Sequence, residues 1–462
     1  MTFGDQLNQA INDKNISISE LHKKSGLARS MIYSIIDGKR RLTPKNNGKL
    51  ISPYCFPESV VPGLFRSYLE SELSGEELAA WDTLLAGLRG EWADRVKKHP
   101  DFTFSPCDFE AQQVFYGAKE VLGAIGGAIE RGTGLALSNF PFDGEVPALV
   151  YQAYQRKKIK TVRHMLCLDG LSPAQKLQAL FMAVPFAEAG INTRLENRRG
   201  GAYDSFLLTD DYFIEYMDDL SQATVLPARM APLAVQARFS GAEQLSFRFC
   251  SVADSVLGNE NAPFNSGLAS WFGYVTSFPL VFAKKEFVQA SLSALLSGTT
   301  DALTMSNGLE KHFEIAAVGD VKWRSLMTDD DLDDFFQNGT VREAPRELFP
   351  HGATPEVRIG LAEPFLHTPG YDLSIVRSKY FGALKQFFTA NAAGVTLLGV
   401  FGGDGNAPGA FTDIRVILND ANLSRLCEKL TDYFVHSYYC MPKEFGDVWL
   451  SQRLEVLKSR LS

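Results

Sequence analysis

Hydrogen-bond donors recur along one side of the short segment Arg29–Ile36. On a helix, where successive residues are about 100° apart, the donors share one face and the aliphatic side chains share the other. The donors are Arg29, Ser30, Tyr33 and Ser34. The aliphatic residues are Met31, Ile32, Ile35 and Ile36. Donor-rich helix faces hydrogen-bond to base edges in the major groove, so the pattern predicts a DNA-reading helix that packs through its aliphatic face.

A basic cluster follows this segment directly. Its members are Lys39, Arg40 and Arg41, with Lys45 and Lys49 a little further along the chain. Cations at the end of a reading helix suit the DNA phosphates, which fix the register of a protein on the duplex but carry no sequence information. A three-helix bundle with a solvated basic face is the other interpretation of the same residues.

Short helices are expected around the reading helix. A first helix is predicted by apolar residues at helical spacing, which are Phe3, Leu7, Ala10 and Ile11. Ser17 and Glu20 fit a capping box, in which each side chain accepts from the backbone amide of the other residue. The box predicts a second helix, ended by Gly26 in a left-handed conformation. The reading helix follows over residues 28–36, and two short helices joined by a glycine turn form a helix-turn-helix.

Residues 16–50 closely resemble the phage-repressor-like, Cro/XRE type of helix-turn-helix. The matching residues are Ser17, Leu21, Gly26, Leu27, Ile32, Ile35, Gly38, Lys39 and Arg40, with Thr43-Pro44 at the entry to a fourth helix. One departure is Ala28, where the family usually has a serine or threonine cap. Another is Asn46-Asn47-Gly48, three poor helix formers within the fourth helix.

The resemblance implies a transcription regulator that binds double-stranded DNA. Heads of this type generally work in pairs, because one reading helix contacts only a few base pairs. A homodimer and an inverted-repeat operator are therefore expected, with the two heads about 34 Å apart.

Charge is distributed unevenly along the 462 residues. Nine basic and four acidic residues give the first 50 residues a formal charge of +5, whereas the remainder of the chain carries −13. This distribution suits contact of the amino-terminal part alone with a polyanion. The six cysteines lack disulfide-framework or zinc-site spacing. Neither a signal peptide nor a membrane-spanning run is evident, so a cytoplasmic protein with no membrane partner is expected.

The sequence pattern predicts a multidomain fold. The expected parts are an all-α helix-turn-helix head at 1–56, a helical connector at 57–106, and an α/β or α+β body of two lobes at 107–260 and 261–462. Within the body, 109–132 is predicted as one helix and 356–363 as a strand. The passages 186–211 and 389–418 each show a helix end, Ala-Gly, a strand, a glycine-rich loop and a second strand, which suggests that the two lobes are related.

The body contains no recognisable catalytic motif, metal-ligand spacing or cofactor loop, so neither an enzyme nor a bound metal or cofactor is expected.

Arg163 and His164, on or just after a predicted strand, form with Arg194 a candidate pocket for an anionic effector, because ligands often bind at strand ends. Ordinary surface charge is the simpler interpretation. The effector is expected to be a small molecule or a protein. Two rival functions remain open. In the first, the chain is an enzyme, or an effector of a phage-defence or toxin system, that carries a DNA-binding head. In the second, the body binds only another protein.

Overall fold

The computed structural model describes residues 2–97, 111–131, 135–138, 145–156, 161–166, 171–182, 192–197, 205–232, 323–341, 351–369, 371–382, 387–392, 395–402, 412–418 and 421–461. Over these ranges the protein is multidomain and mixed α+β.

The helices of the head are short and lie where the sequence pattern predicts them. They are α1 Phe3–Asp13, α2 Ile18–Ser25, α3 Arg29–Ile36 and α4 Pro44–Leu50. The Ser17 hydroxyl caps α2 by accepting from the amide of Glu20 at 3.1 Å. The second half of the predicted capping box is wrong, because the Glu20 carboxylate pairs with Lys24, at 2.7 Å, one turn further along the helix.

The described part of the predicted connector, residues 57–97, contains three helices, and residues 98–106 lie outside the described ranges. Its helices are α5 Val61–Glu72, α6 Gly75–Leu88 and α7 Glu91–Lys97. Helix α6 begins with a complete capping box between Ser74 and Glu77. A reciprocal cap satisfies two amides that the first turn of a helix leaves without intrahelical partners.

The amino-terminal part of the body is built on a seven-stranded mixed sheet. Its strands are β1 Gln113–Tyr116, β2 Leu135–Ser138, β3 Thr161–Leu166, β4 Asn192–Asn197, β5 Ser205–Leu208, β6 Tyr212–Tyr216 and β7 Gln222–Pro227. The spatial order is β1-β7-β6-β5-β2-β3-β4, with β2, β3 and β4 parallel to one another and the other neighbours antiparallel. The helices of this region are α8 Ala118–Arg131, α9 Glu145–Gln155 and α10 Pro173–Met182.

The helix predicted over 109–132 is wrong in its first half, where the structure has the strand β1. Val114, Phe115 and Tyr116 are β-branched or aromatic residues that favour strands. Pairing with β7 across the sheet satisfies their backbone, with Val114 opposite Thr224. Residues 109 and 110 lie outside the described ranges.

Among its described residues, the carboxy-terminal part of the body contains two smaller sheets. Strands β8 Trp323–Thr328 and β9 Tyr371–Val376 are parallel, and β10 Phe387–Ala392, β11 Val395–Gly402 and β12 Thr412–Leu418 form an antiparallel sheet. The helices are α11 Asp329–Asn338, α12 Pro355–Ala362, α13 Pro364–His367, α14 Ser378–Phe381, α15 Ala421–Val435 and α16 Lys443–Ser459.

The strand predicted over 356–363 is wrong, because this segment forms most of α12. Pro355 occupies the first turn directly after Thr354, and proline favours that position because its fixed φ suits a helix start. Val357 and Leu361, four residues apart, are both buried. The helical spacing of these two buried aliphatic residues is consistent with the element that forms.

The two similar passages of the body have different strand pairings. Residues 389–392, predicted as a helix end, belong to β10. Strands β11 and β12 are neighbours, whereas β4 pairs with β3 and β5 pairs with β2 and β6. The division of the body into two lobes stays a prediction.

Two large hydrophobic clusters join many of the described elements. The larger runs from α1 through the connector helices α5 and α6 to α8, α9 and α15. The smaller joins β9, α11, α12 and α16. The boundary predicted at residue 56 separates two sequence patterns, whereas the hydrophobic core runs across it.

Candidate nucleic-acid interface

Local hydrogen bonds fix the turn between α2 and α3. Gly26 lies in the left-handed region, with φ 70°, as its position after the helix predicts. The Ser25 hydroxyl donates to the carbonyl oxygen of Leu21 at 2.6 Å and accepts from the amide of Leu27 at 3.2 Å. Nδ1 of His22 lies 2.8 Å from the carbonyl oxygen of Leu27. These contacts set the angle at which α3 follows α2.

Helix α3 has one buried and one exposed face. Ile32 and Ile35 are buried in the core of the head. Arg29, Ser30 and Tyr33 are exposed, and 54% of the Tyr33 surface is open to solvent. The structure thus brings three of the four predicted reading residues to one accessible face.

Ser34 differs from the other predicted reading residues. It is half-buried, and its hydroxyl donates to the carbonyl oxygen of Ser30 at 2.7 Å. That bond occupies the only proton of the hydroxyl. At the start of the helix, Ala28 provides no side-chain cap, in agreement with the departure from the Cro/XRE pattern noted in the sequence.

The basic cluster is exposed just beyond α3. Its exposed members are Lys39, Arg40, Arg41 and Lys45. The Asp37 carboxylate accepts from Nζ of Lys39 at 2.8 Å, and this bond raises the pKa of Lys39. No carboxylate of the described residues lies within 4 Å of Arg29, Arg40 or Lys45. Among the exposed cations of the cluster, Arg40 and Lys45 thus have no close carboxylate in the described residues, whereas Lys39 is paired with Asp37.

Lys49 has a different environment from the rest of the cluster. Its Nζ lies 3.7 Å from the carboxylate of Glu444 at the start of α16. A contact between Lys49 and a DNA phosphate would therefore compete with its contact to Glu444 of the body.

Helix α4 docks on the end of α15. Nδ2 of Asn47 donates to the carbonyl oxygen of His436 at 3.2 Å. A Cβ atom at Gly48 would lie 2.7 Å from the same oxygen, closer than real side chains approach a carbonyl. The sequence pattern did not predict this contact of Asn47 and Gly48 with His436. Their signal was present, because Asn47 and Gly48 are poor helix formers whose place in a helix calls for a tertiary contact.

Tyr68 connects the head, the connector and α15. Its buried ring packs edge-on against Phe3, with ring centres 5.7 Å apart, and lies 5.8 Å from the ring of Tyr433. Its hydroxyl donates to the carbonyl oxygen of Leu42 at 3.1 Å. Tyr68 therefore packs the head against both the connector and α15. Because α15 belongs to the body, the body fixes the direction in which the exposed face of α3 points.

The predicted effector residues lie on neighbouring parallel strands. Arg163 and His164 belong to β3 and Arg194 belongs to β4. Arg163 stands at the position paired with Arg194, and His164 pairs with Leu195. The fold therefore brings the two arginines to adjacent positions from segments about 30 residues apart.

Two other kinds of site are absent from the described ranges. No group of three or more histidine, cysteine or acidic residues there could hold a metal ion. No helix among the same residues is both long enough and apolar enough to cross a membrane.

Comparison with known proteins does not identify a family. No protein-family model matches the sequence, and no curated protein matches it. The archaeal chromatin protein TrmBL2, described as showing a novel mode of DNA binding, is 15% identical at a TM-score of 0.22, over 41% of this chain and 70% of its own. Polyphosphate kinase from Porphyromonas gingivalis is 9% identical at 0.21, over 70% of this chain and 50% of its own. Phosphatidylserine synthase from Haemophilus influenzae Rd KW20 is 10% identical at 0.24, over 80% of this chain and 97% of its own. Likeness at TM-scores this low does not establish a shared fold.

Proposed function

We propose that the chain is a sequence-specific DNA-binding transcription regulator. In this proposal α2 and α3 form a Cro/XRE-type helix-turn-helix, and α3 lies in the major groove of duplex DNA. The observation that carries it is the division of α3 into a buried aliphatic face and an exposed face with Arg29, Ser30 and Tyr33. Arginine reads guanine through two hydrogen bonds, and hydroxyl groups donate to or accept from any base.

The exposed cations next to α3 support the same proposal. Arg40 and Arg41 follow the reading helix by only a few residues, so they lie beside any duplex that α3 enters. Contacts between such cations and phosphates release counterions and supply most of the non-specific affinity. The acidic remainder of the chain repels DNA, which confines binding to the head.

The direct test is selection of duplexes by the intact protein. We expect a random library to yield one defined sequence, arranged as an inverted repeat, that binds at least about 10³-fold more tightly than random duplex at physiological salt. Fluorescence anisotropy measures both affinities. Absence of duplex binding at low salt, or enrichment of no sequence, contradicts the proposal.

Neutralising Arg40 is expected to weaken binding to specific and random duplexes alike. One phosphate contact is lost, so the slope of log affinity against log salt should fall by about one unit. Lys39→Ala should have a smaller effect, because Asp37 already pairs with Lys39. Titrations at several salt concentrations check both variants. Lys14→Ala, which removes the same charge from the exposed end of α1, is the control. A loss confined to the specific duplex would show that Arg40 reads bases.

We extend the proposal to the body as a sensor of an anionic effector. Arg163 and Arg194 stand at paired positions of β3 and β4. Like charges at paired positions of neighbouring strands destabilise a sheet. In this extension a carboxylate or phosphate effector binds at this pair of strands, because arginine suits the bidentate recognition of such anions. Effector binding and DNA binding are then coupled by about 1–3 kcal/mol, equally in both directions.

Arg163→Gln is expected to weaken effector binding by about 1.5–3 kcal/mol, the contribution of a hydrogen bond to a charged group. A thermal-shift screen of anionic metabolites identifies the effector, which is then titrated into the wild type and the variant. Arg229→Gln, at an exposed arginine of the same region, is the matched control. Three results contradict the sensor role: no anion stabilises the wild type, Arg163→Gln binds normally, or the ligand leaves DNA affinity unchanged.

A further inference from the structure

Helix α16 is apolar on two sides. Its inner side, formed by Gly446, Leu450, Leu454 and Leu457, is buried in the smaller hydrophobic cluster. Its outer side carries Phe445, Val448 and Val456, whose surfaces are 55%, 56% and 48% exposed. A surface helix of a globular protein normally has one apolar stripe. The second stripe indicates that another element covers the outer side.

This outer surface continues onto the head. The rings of Tyr54 and Phe445 stack with centres 5.1 Å apart and planes 13° from parallel. Tyr54 is 44% exposed, and the guanidinium of Arg377 lies 5.1 Å from its ring centre. We call Tyr54, Phe445, Val448 and Val456 the α16 stripe. Exposed apolar side chains along one helix, with aromatic and arginine neighbours, are typical of protein–protein contacts.

Opposite charges lie on the two sides of the α16 stripe. At about 100° per residue, Glu455 falls on one side of the stripe, and Arg460, which caps the end of α16, falls on the other. Both residues are exposed. Gln452, also exposed, lies between them at the middle of the stripe. The surface therefore offers an acid, an amide and a base in succession around the helix.

We propose that the α16 stripe is the surface through which two copies of this chain pair, with their α16 helices parallel. A two-fold axis along the helices sets the acidic side of each copy beside the basic side of the other. Glu455 then lies next to the partner's Arg460, five residues further along, which is the spacing of salt bridges between parallel helices of a coiled coil. By symmetry this contact occurs twice.

Gln452 suits the same arrangement. A parallel pair sets it opposite the partner's Gln452, across the two-fold axis. Each side-chain amide has an acceptor oxygen and two donor protons, so the two amides can hydrogen-bond to each other. A polar residue at one such position fixes the register of paired helices.

An antiparallel pair fits less well. If it is centred on Gln452, Glu455 lies level with the partner's Trp449 and eleven residues along the axis from the level of the partner's Arg460, so both charged contacts of the parallel pair are lost. The stripe is thus complementary to itself in one direction. This property favours a second copy of the chain over an unrelated protein as the partner.

The pairing has a geometric consequence for the heads. Helices packed side by side lie about 8–10 Å apart, and in a parallel pair the two Phe445 residues lie at the same end. Each Phe445 stacks on Tyr54 of its own head. The two heads therefore lie at one end of the helix pair, on opposite sides of the two-fold axis. This inference deepens the proposed function, which requires two heads, but its test needs no DNA.

Sedimentation of the full chain tests the pairing. The wild type is expected to sediment at twice the monomer mass at micromolar concentration, and Val448→Glu as a monomer. Glu455→Arg should also dissociate the pair, because two bases then meet at each contact. The double variant Glu455→Arg with Arg460→Glu should restore it. Val114→Glu, at a valine 40% exposed on strand β1, is the matched control and should remain paired.

Several results overturn the inference. They are a monomeric wild type, which would leave the stripe to a different protein, a paired Val448→Glu, or dissociation by Val114→Glu. Failure of the double variant to restore pairing contradicts the parallel arrangement. Thermal melting of each variant verifies folding. If Val448→Glu is unstable, the single and double variants of Glu455 and Arg460 decide whether the stripe pairs two copies. Duplex binding is measured separately, so pairing without DNA binding would defeat the proposed function and leave this inference standing.

Discussion

Replacing Tyr68 with alanine is expected to lower the free energy of unfolding by about 3–5 kcal/mol, the usual loss for a large buried aromatic side chain. Tyr68 is fully buried between Phe3 of the head and Tyr433 of α15. Its removal leaves a cavity at the junction of three segments. Burial raises the pKa of Tyr68 well above its ordinary value, so its hydroxyl stays protonated and donates to the carbonyl oxygen of Leu42. The alanine variant removes this donor as well.

Two further variants separate the terms of this loss. Tyr68→Phe keeps the ring and removes the hydrogen bond, so it should cost about 1 kcal/mol. Tyr33→Ala removes an exposed tyrosine from α3 and should change stability by less than about 0.5 kcal/mol. Urea denaturation followed by circular dichroism measures all three. A loss for Tyr68→Ala no greater than that for Tyr68→Phe would contradict the packing of the ring at this junction.

The second large effect concerns DNA. Arg29→Ala is expected to reduce affinity for the selected duplex by about 1–3 kcal/mol and to relax base preference at one position. Arg29 is exposed in the first turn of α3, on the same face as Ser30 and Tyr33, with no carboxylate of the described residues within 4 Å. Its guanidinium is therefore available for paired hydrogen bonds to a guanine.

The measurement is anisotropy with the selected duplex and with duplexes changed at single positions. Lys23→Ala, which removes one exposed charge from α2, is the control and should lower affinity without changing base preference. If Arg29→Ala binds with wild-type affinity and preference, α3 is not the reading helix. Stability should be unaffected, so a melting curve excludes unfolding as the cause of any loss.

The helices of the head were predictable because their signals are local. A serine before α2, a glycine after it and aliphatic residues at helical spacing in α3 each act within one or two turns. The same kind of signal was misleading at residues 113–116 and 356–363. There the element depends on pairing with β7 or on a proline in the first helical turn, and short apolar segments fit a helix and a strand equally well.

The candidate interface was predictable only in part. Its exposed donors and cations follow from the helical wheel of residues 29–36 and from composition. The contact of Asn47 and Gly48 with His436 joins residues almost 390 positions apart, and no local pattern names such a partner. Likewise, the pairing of Arg163 with Arg194 depends on which strands become neighbours in the sheet.

The packing of α15 against the head has a consequence for synthesis of the protein. Tyr68 with Tyr433, Asn47 with His436, and Glu77 with Lys429 at 2.7 Å join the earliest helices to one of the last. A ribosome releases residues 29–36 long before it reaches residue 421, so the packing of the head against α15 is complete only after most of the chain has been translated. Fragments from interrupted translation or from proteolysis within the body therefore carry the reading residues on an unfinished scaffold. Under the proposed function, such fragments are expected to compete poorly for the operator with chains in which this packing is complete.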